Sequence, residues 1–189
     1  MKDDLGNRMK LNYEDRTRYY IPRRTYTIIR LDQKCGHTYT KGLDKPFDKG
    51  YMEDMDNAVI AMLPEIQGAV FAYLQSDECS ILLTDFSTIQ TDAWFDGNIQ
   101  KMASVSSSII TAEFNKLRIN RILTKYRNDY DYPDDGELDN LAYFDSRVFS
   151  VPDRIEVMNM LIWRNQDCAR NSVSMVAQAN FSHKELQGK

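Results

Sequence analysis

The chain has 189 residues, 42% hydrophobic and 28% charged, with eight Gly and five Pro. That mixture suits one globular domain with a sizeable core and excludes a collagen-like or disordered chain. No apolar run approaches the roughly 20 residues that cross a bilayer, and no apolar stretch follows Met1-Lys2-Asp3-Asp4, so neither a membrane partner nor a secretory signal is expected and the cytoplasm is the expected compartment.

Residues 1–23 are polar and charged and predict an arm or short helix ending near Pro22. The formal net charge of −4 argues against indiscriminate nucleic-acid binding. Locally, Arg16, Arg18, Arg23, Arg24 and Lys34 interleave with Tyr13, Tyr19, Tyr20 and Tyr26, a pattern that can hold phosphates and stack bases or form a solvated entry segment. The β-branched and aromatic run Thr25–Leu31 predicts a strand ending at Asp32. Turn signals at Cys35-Gly36 and Lys45-Pro46 make 33–49 a loop with a helical turn. Met52, Met55, Val59, Met62 and Leu63 recur at helical spacing from Tyr51 to about Ile66, with Pro64 closing the helix. Gly68–Leu74 and Cys79–Thr84 predict a second and third strand joined through Ser76-Asp77-Glu78, a hairpin with acids at its tip.

A helix is predicted from Ala93 to Leu123, its small residues between Ala103 and Ile110 allowing close approach to a sheet. Residues 126–140 predict an exposed, mobile loop. Tyr143–Val151 reads as a fourth strand, and Asp153 as the cap of a last long helix through about Ala179, with Ile155, Met158, Leu161, Ile162 and Cys168 at its apolar positions. Ser182–Lys189 is polar and predicted to fray. Cys35, Cys79 and Cys168 are scattered and form no CxxC pair, which supports idle thiols over zinc or disulfides. The order β-α-β-β-α-β predicts one α+β domain over 1–189: a ferredoxin-like, palm-like antiparallel sheet with helices packed on one face, plus a C-terminal helix.

In such a sheet the first strand lies beside the middle ones, so Asp32 and the hairpin tip with Asp77 and Glu78 can meet on one edge. Carboxylates gathered there repel one another unless cations intervene, and oxygen ligands favour Mg²⁺, a pair of which serves nucleotidyl transfer. No GxxxxGK[ST] is present, which excludes a P-loop. The segment Gln33-Lys34-Cys35-Gly36-His37 offers backbone N–H groups to a triphosphate. Lys45 offers a cation for phosphate, and Asp48 an acceptor for a base or sugar. Taken singly, each feature has an ordinary reading: an Asp after a strand caps a turn, and an Asp-Glu at a hairpin tip is solvated surface.

In chain order, Arg30-Leu31-Asp32, Lys45-Pro46-Phe47-Asp48, Gln75-Ser76-Asp77-Glu78, Phe144-Asp145-Ser146-Arg147-Val148-Phe149, Trp163-Arg164-Asn165-Gln166-Asp167-Cys168 and the ending Asn180–Lys189 resemble the tRNA-His guanylyltransferase family, whose members are 3′-to-5′ nucleotide-adding polymerases. The resemblance spans nearly the whole chain. It implies a palm with two Mg²⁺ ions on Asp32 and Asp77, a main-chain ligand from Gln33, and Glu78 as a supporting acid. It implies His37, Lys45 and Asp48 near an activating nucleotide, beside Lys34, Cys35 and Gly36, with Ser76 and Lys101 near a triphosphate. Arg23, Arg24, Arg164, Arg170 and Asn171 are assigned to RNA. ATP and GTP or another NTP are the implied substrates, tRNA the implied partner, and a homotetramer built from dimers the implied assembly.

Family members usually carry Gly where Gln33 stands. Eukaryotic members carry His-Ile-Asn-Asn where this chain has Ala169-Arg170-Asn171-Ser172, which resembles the bacterial, archaeal and phage branch. That branch tends towards template-dependent repair of 5′-truncated tRNAs. Members usually continue beyond the equivalent of Lys189, so the usual C-terminal extension is expected to be absent. Two further readings stay open: a nucleotide or dinucleotide cyclase built on the same palm, and a non-catalytic RNA-binding relative.

Overall fold

A computed structural model describes residues 4–129, 133 and 135–187. Its elements are α1 (Asp4–Met9), continued by a π turn and a 3-10 turn to Thr17; β1 (Tyr26–Gln33); α2 (Gly36–Tyr39); α3 (Lys49–Met62); β2 (Ala69–Gln75); β3 (Glu78–Leu83); α4 (Ile99–Asp129); α5 (Asp135–Asp139); β4 (Phe144–Val151); α6 (Arg154–Asn180); and α7 (His183–Leu186). The sheet runs β2-β3-β1-β4 with every neighbouring pair antiparallel. This is the mixed α+β, palm-like arrangement that the sequence predicts, with β1 central.

β1 explains the two-layer construction. Its residues alternate between faces, and Thr27, Ile29, Leu31 and Gln33 are buried on the side covered by α3 and α4. There Met55, Ala58, Val59 and Met62 of α3 meet Ile110 and Phe114 of α4 over Ile29, Leu31 and Ile81. Phe114 centres an aromatic group with Tyr39, Tyr51 and Phe144, at centroid separations of 5.9, 5.5 and 5.6 Å. The small residues of α4 let it lie close to the sheet: Ser106 is fully buried and its Oγ lies 2.9 Å from Ser146 Oγ. Asn115 fastens the approach to β4 by accepting from Ala142 N–H at 2.9 Å and donating to its carbonyl at 2.8 Å.

Several boundaries differ from the sequence reading. The helix expected from Ala93 begins at Ile99, because Phe95, Asp96 and Gly97 adopt φ of 49°, 53° and 76° and interrupt it. The stretch expected as a loop over 126–140 is partly helical: α4 runs to Asp129 and α5 covers Asp135–Asp139, while 130–132 and 134 lie outside the described residues. The tail expected to fray contains α7, held by a reciprocal capping box between Ser182 and Glu185.

α6 departs most. Ile155, Met158 and Ile162, expected to face the core, are exposed, and its buried positions are Val157, Met160 and Arg164. The cause is its seat: α6 lies over the polar face of the sheet, where Arg164 and Asn165 reach Glu78 and Tyr73. Among the described residues no helix is long and apolar enough to cross a membrane.

Candidate active site

Cross-strand partners share a face of a sheet, so the register of β1 dictates what surrounds Asp32. Glu78 stands opposite it on β3 and Asp145 opposite it on β4, giving a row Glu78–Asp32–Asp145. Asp77 joins from the tight β2–β3 turn, where Ser76 takes a left-handed φ of 53°. The Asp77 carbonyl accepts from Gln33 N–H at 3.2 Å, which ties that turn to the end of β1. Burial first, and then the negative charges of Asp77, Asp145 and Glu78, hold the Asp32 carboxyl above the usual carboxylate range, with Arg147 opposing them. The structure therefore brings Asp32, Asp77 and Glu78 to one end of the sheet. It adds Asp145, which only the strand register reveals.

Glu78 differs from the other acids. It is buried, and Arg164 grips it with two hydrogen bonds: Nε to Oε1 at 2.6 Å and Nη2 to Oε2 at 2.7 Å. Arg164 also donates to Asp167 at 2.8 Å, and Asp167 accepts from the exposed Arg170 at 2.8 Å. Arg164 was expected on RNA, but its donors are turned inward onto carboxylates of this chain.

One pleat behind the acids runs a second row on the same face, Tyr73–Ser80–Arg30–Arg147. Two arginines side by side on paired strands repel. Arg30 has Trp163 over its guanidinium at 5.5 Å, and Arg147 reaches Asp145 only at 3.8 Å. Arg30 Nε and Ser80 Oγ are buried and have no partner among the described residues. Unpaired donors beside two neighbouring guanidinium groups suit an anion such as a phosphate. The signal was present in the alternation of Asp145 and Arg147 along β4, but reading it requires knowing which strand lies beside β1.

The Gln33 side chain turns to the helix-covered face, where its Oε1 accepts from Tyr51 Oη. Pleat alternation thus sends it to the face of the sheet opposite the Asp32 side chain. After β1, Lys34 N–H donates to the Tyr143 carbonyl at 2.8 Å, and Cys35 takes a left-handed φ of 57°. The N–H groups of Cys35, Gly36 and His37 are left without an acceptor among the described residues. Gly36 is buried against Asp77, while His37 and Lys45 are exposed. Asp48 caps α3, accepting from Tyr51 N–H at 2.7 Å and Asp44 N–H at 3.2 Å, so its carboxylate already carries a structural duty.

Other expected site residues lie elsewhere. Lys101 is in the first turn of α4 with its ammonium 5.8 Å from the Phe95 ring centre, and the adjacent Met102 lies by Thr27 and Leu83, the end of the sheet opposite Asp32. The structure does not bring Lys101 to Ser76. Arg23 and Arg24 precede β1 at that same far end. Arg23 is gripped by Asp85 at 2.9 Å, Asp96 at 3.1 Å and Asp92 at 3.2 Å, an internal clamp in place of the expected RNA contact. Asn171 and Arg170 are exposed on α6.

The donor set at Asp32 and Asp77 is oxygen only, which suits a hard cation. Among the described residues no three His, Cys, Asp or Glu side chains converge as a ready-made metal cage. Glu78 is held by Arg164 and Asp145 lies 3.8 Å from Arg147, so among the described residues Asp32 and Asp77 remain as unpaired carboxylates, and Mg²⁺ characteristically accepts one or two carboxylates and completes its shell with water and substrate phosphate. Such an ion would relieve both the burial of the Asp32 charge and its repulsion by the neighbouring acids.

A sheet of this order, with acids at the end of its central strand and helices on its far face, defines a palm-like protein. Residues 6–152 match the family model described as tRNAHis guanylyltransferase, and the chain belongs to that family, whose members are nucleotidyltransferases. It is similar to a solved bacterial tRNA(His) guanylyltransferase (Thg1)-like protein in complex with ATP, with 44% identity, TM-score 0.84, and 98% of this chain and 75% of that one covered. The same description in complex with GTP matches with 43% identity and TM-score 0.80, covering 95% of this chain and 78% of that one. Among curated relatives, an uncharacterized protein, R259, of Acanthamoeba polyphaga mimivirus is 29% identical over 99% of this chain and 66% of its own length. The tRNA(His) guanylyltransferase of Debaryomyces hansenii is 24% identical over 93% of this chain and 63% of its own length. The chain thus spans just under two thirds of the length of these curated relatives.

Proposed function

We propose that the protein is a template-dependent 3′-to-5′ nucleotidyltransferase that adds nucleotides to the 5′ end of tRNA, in 5′-end repair or tRNA-His guanylylation. The observation that carries this reading is the meeting of Asp32 and Asp77 at the end of β1, with the Asp32 carboxyl pushed up by burial and then by its acidic neighbours. Asp32, Asp77 and the Gln33 carbonyl would hold two Mg²⁺ ions. When bound, such ions lower the barrier for an oxygen nucleophile at phosphorus and neutralise the charge on the leaving group. Glu78, fixed by Arg164, stands beside them.

The tRNA 5′ phosphate first takes AMP from ATP, releasing pyrophosphate, or the 5′ end already bears a triphosphate. The 3′-OH of the incoming NTP attacks the 5′ phosphorus, a new phosphodiester forms, and AMP or pyrophosphate departs. Arg30 and Arg147, in the row behind the acids, hold phosphate oxygens. Lys34 to His37, Lys45, Asp48 and Ser76 flank the nucleotides. Arg24, Arg170 and Asn171 contact the RNA, and the chain assembles as a homotetramer of dimers. The ATP and GTP complexes named for the bacterial structures support nucleotide substrates.

The test offers a tRNA lacking its first nucleotide with ATP, NTPs and Mg²⁺. Extension at the 5′ end is expected, with loss in Asp32→Ala and Asp77→Ala. No extension, or extension indifferent to both substitutions, refutes the reading; a cyclic product from NTP alone would replace it with a cyclase.

A further inference from the structure

Gly36 opens α2 and is buried against the β2–β3 turn. A Cβ built on it would fall 1.9 Å from Asp77 Oδ2 and 3.0 Å from Asp77 Cγ, so the carboxylate occupies the volume that any side chain at 36 would take. The backbone does not demand glycine here, because Gly36 is absent from the positive-φ positions, whereas Gly42 has φ of 97° and nothing within 4 Å. Helix propensity does not favour it either, since Ala is better than Gly by about 1 kcal/mol inside a helix. What glycine supplies at 36 is room.

The walls of that room are fixed. Cys35, at φ of 57°, turns the chain so that Gly36 arrives against the turn. The bond from Gln33 N–H to the Asp77 carbonyl, 3.2 Å, anchors the Asp77 backbone, and Ser76 at φ of 53° sets the direction of the turn. With its backbone held, the Asp77 side chain can be displaced only by rotating. Gln33 directly follows Asp32, so the same bond holds the turn that carries Asp77 at the end of β1, beside Asp32.

We infer that Gly36 is a positioning residue for the cation site: its missing side chain is the seat that holds the Asp77 carboxylate toward Asp32, and a methyl at 36 turns that carboxylate away and weakens divalent-cation binding. The inference rests on the metal-binding reading given above.

The experiment titrates Mn²⁺, followed by electron paramagnetic resonance without nucleotide, into the wild type, Gly36→Ala, Asp77→Ala and the double variant, with thermal melts of each. Gly36→Ala is expected to weaken Mn²⁺ binding by about 10- to 100-fold, the range for loss of a residue supporting a metal ligand. Asp77→Ala weakens it at least as much, and the double variant binds no more weakly than Asp77→Ala, because one pathway is removed twice. Any fall in melting temperature caused by Gly36→Ala is expected to vanish in the Asp77→Ala background, where no carboxylate remains to clash.

Wild-type or tighter Mn²⁺ binding by Gly36→Ala, with Asp77→Ala impaired, overturns this inference and leaves the metal reading standing. An equal penalty from Gly36→Ala in both backgrounds also overturns it, by assigning the effect to α2 itself. Undiminished binding by Asp77→Ala removes the metal reading and the inference together.

Discussion

Replacing Arg164 by Ala isolates the role of the pair beneath the acids. The two side chains are 7% and 11% exposed and joined by two short hydrogen bonds, so the substitution strands Glu78 as a buried, unpaired carboxylate. It also removes the guanidinium stacked 4.5 Å from the Trp163 ring centre. Breaking a buried pair from one side costs about 3–5 kcal/mol. Glu78 lies at the end of its strand, where local relaxation can admit water, so the lower figure applies. For a domain of this size about 1 kcal/mol moves the melting temperature by roughly 2–4 °C, and Arg164→Ala should lower it by about 6–12 °C. The double variant Arg164→Met with Glu78→Leu should recover most of that loss, because it removes both charges. Thermal and urea melts measure both, beside tRNA binding. A melting temperature unchanged in Arg164→Ala, together with weakened tRNA binding, would refute the reasoning and return Arg164 to the RNA surface.

Asp32→Asn should stabilise the metal-free protein at neutral pH while abolishing 5′ extension. The folded-state pKa of Asp32 is raised, so its destabilising effect is absent below the ordinary carboxylate range, grows as pH rises through the raised value, and is fully present above it. A metal-free melting temperature for Asp32→Asn equal to or below the wild type at pH 7 would contradict this. Phe114→Ala, at a position with 0% exposure among Tyr39, Tyr51 and Phe144, should cost about 3–5 kcal/mol in a urea melt. A thiol reagent applied to the native protein at pH 8 should label the exposed Cys35 quickly and leave Cys79 untouched, because burial pushes the Cys79 thiol up to about 12. Peptide mapping of the modified protein reads the outcome.

Strand order, helical layer and the approach of Asp32 to the hairpin tip were legible because each rests on local pattern plus a topology that β-α-β-β-α-β nearly determines. Side-chain direction was not. Arg164 and Arg23 read as surface cations, and only the fold reveals that each faces carboxylates from distant segments, Glu78 for one and Asp85 for the other. The apolar spacing of α6 pointed to a core face, yet this helix rests on the charged side of the sheet, so its seat is built around Arg164 and its Ile155, Met158 and Ile162 face outward. Lys101, expected near the triphosphate with Ser76, lies at the opposite end of the sheet because α4 begins there, a placement that the helical pattern alone does not fix.

The register of β4 against β1 sharpens the chemistry most. It sets Asp145 beside Asp32 and Arg147 beside Arg30, so acids and arginines form successive rows on one face. Same-face residues two apart along a strand are separated by about 6.6 Å, a gap that a triphosphate can span. Cations on the acidic row and phosphate oxygens on the basic row would then each meet the opposite charge. A shift of β4 by one residue would turn Asp145 and Arg147 to the helix-covered face, leaving Asp32 with Glu78 and Asp77 alone and Arg30 without its partner. The electrostatic division of the site therefore depends on the same strand pairing that closes the sheet, and on the Asn115 and Thr111 bonds that fix where β4 begins.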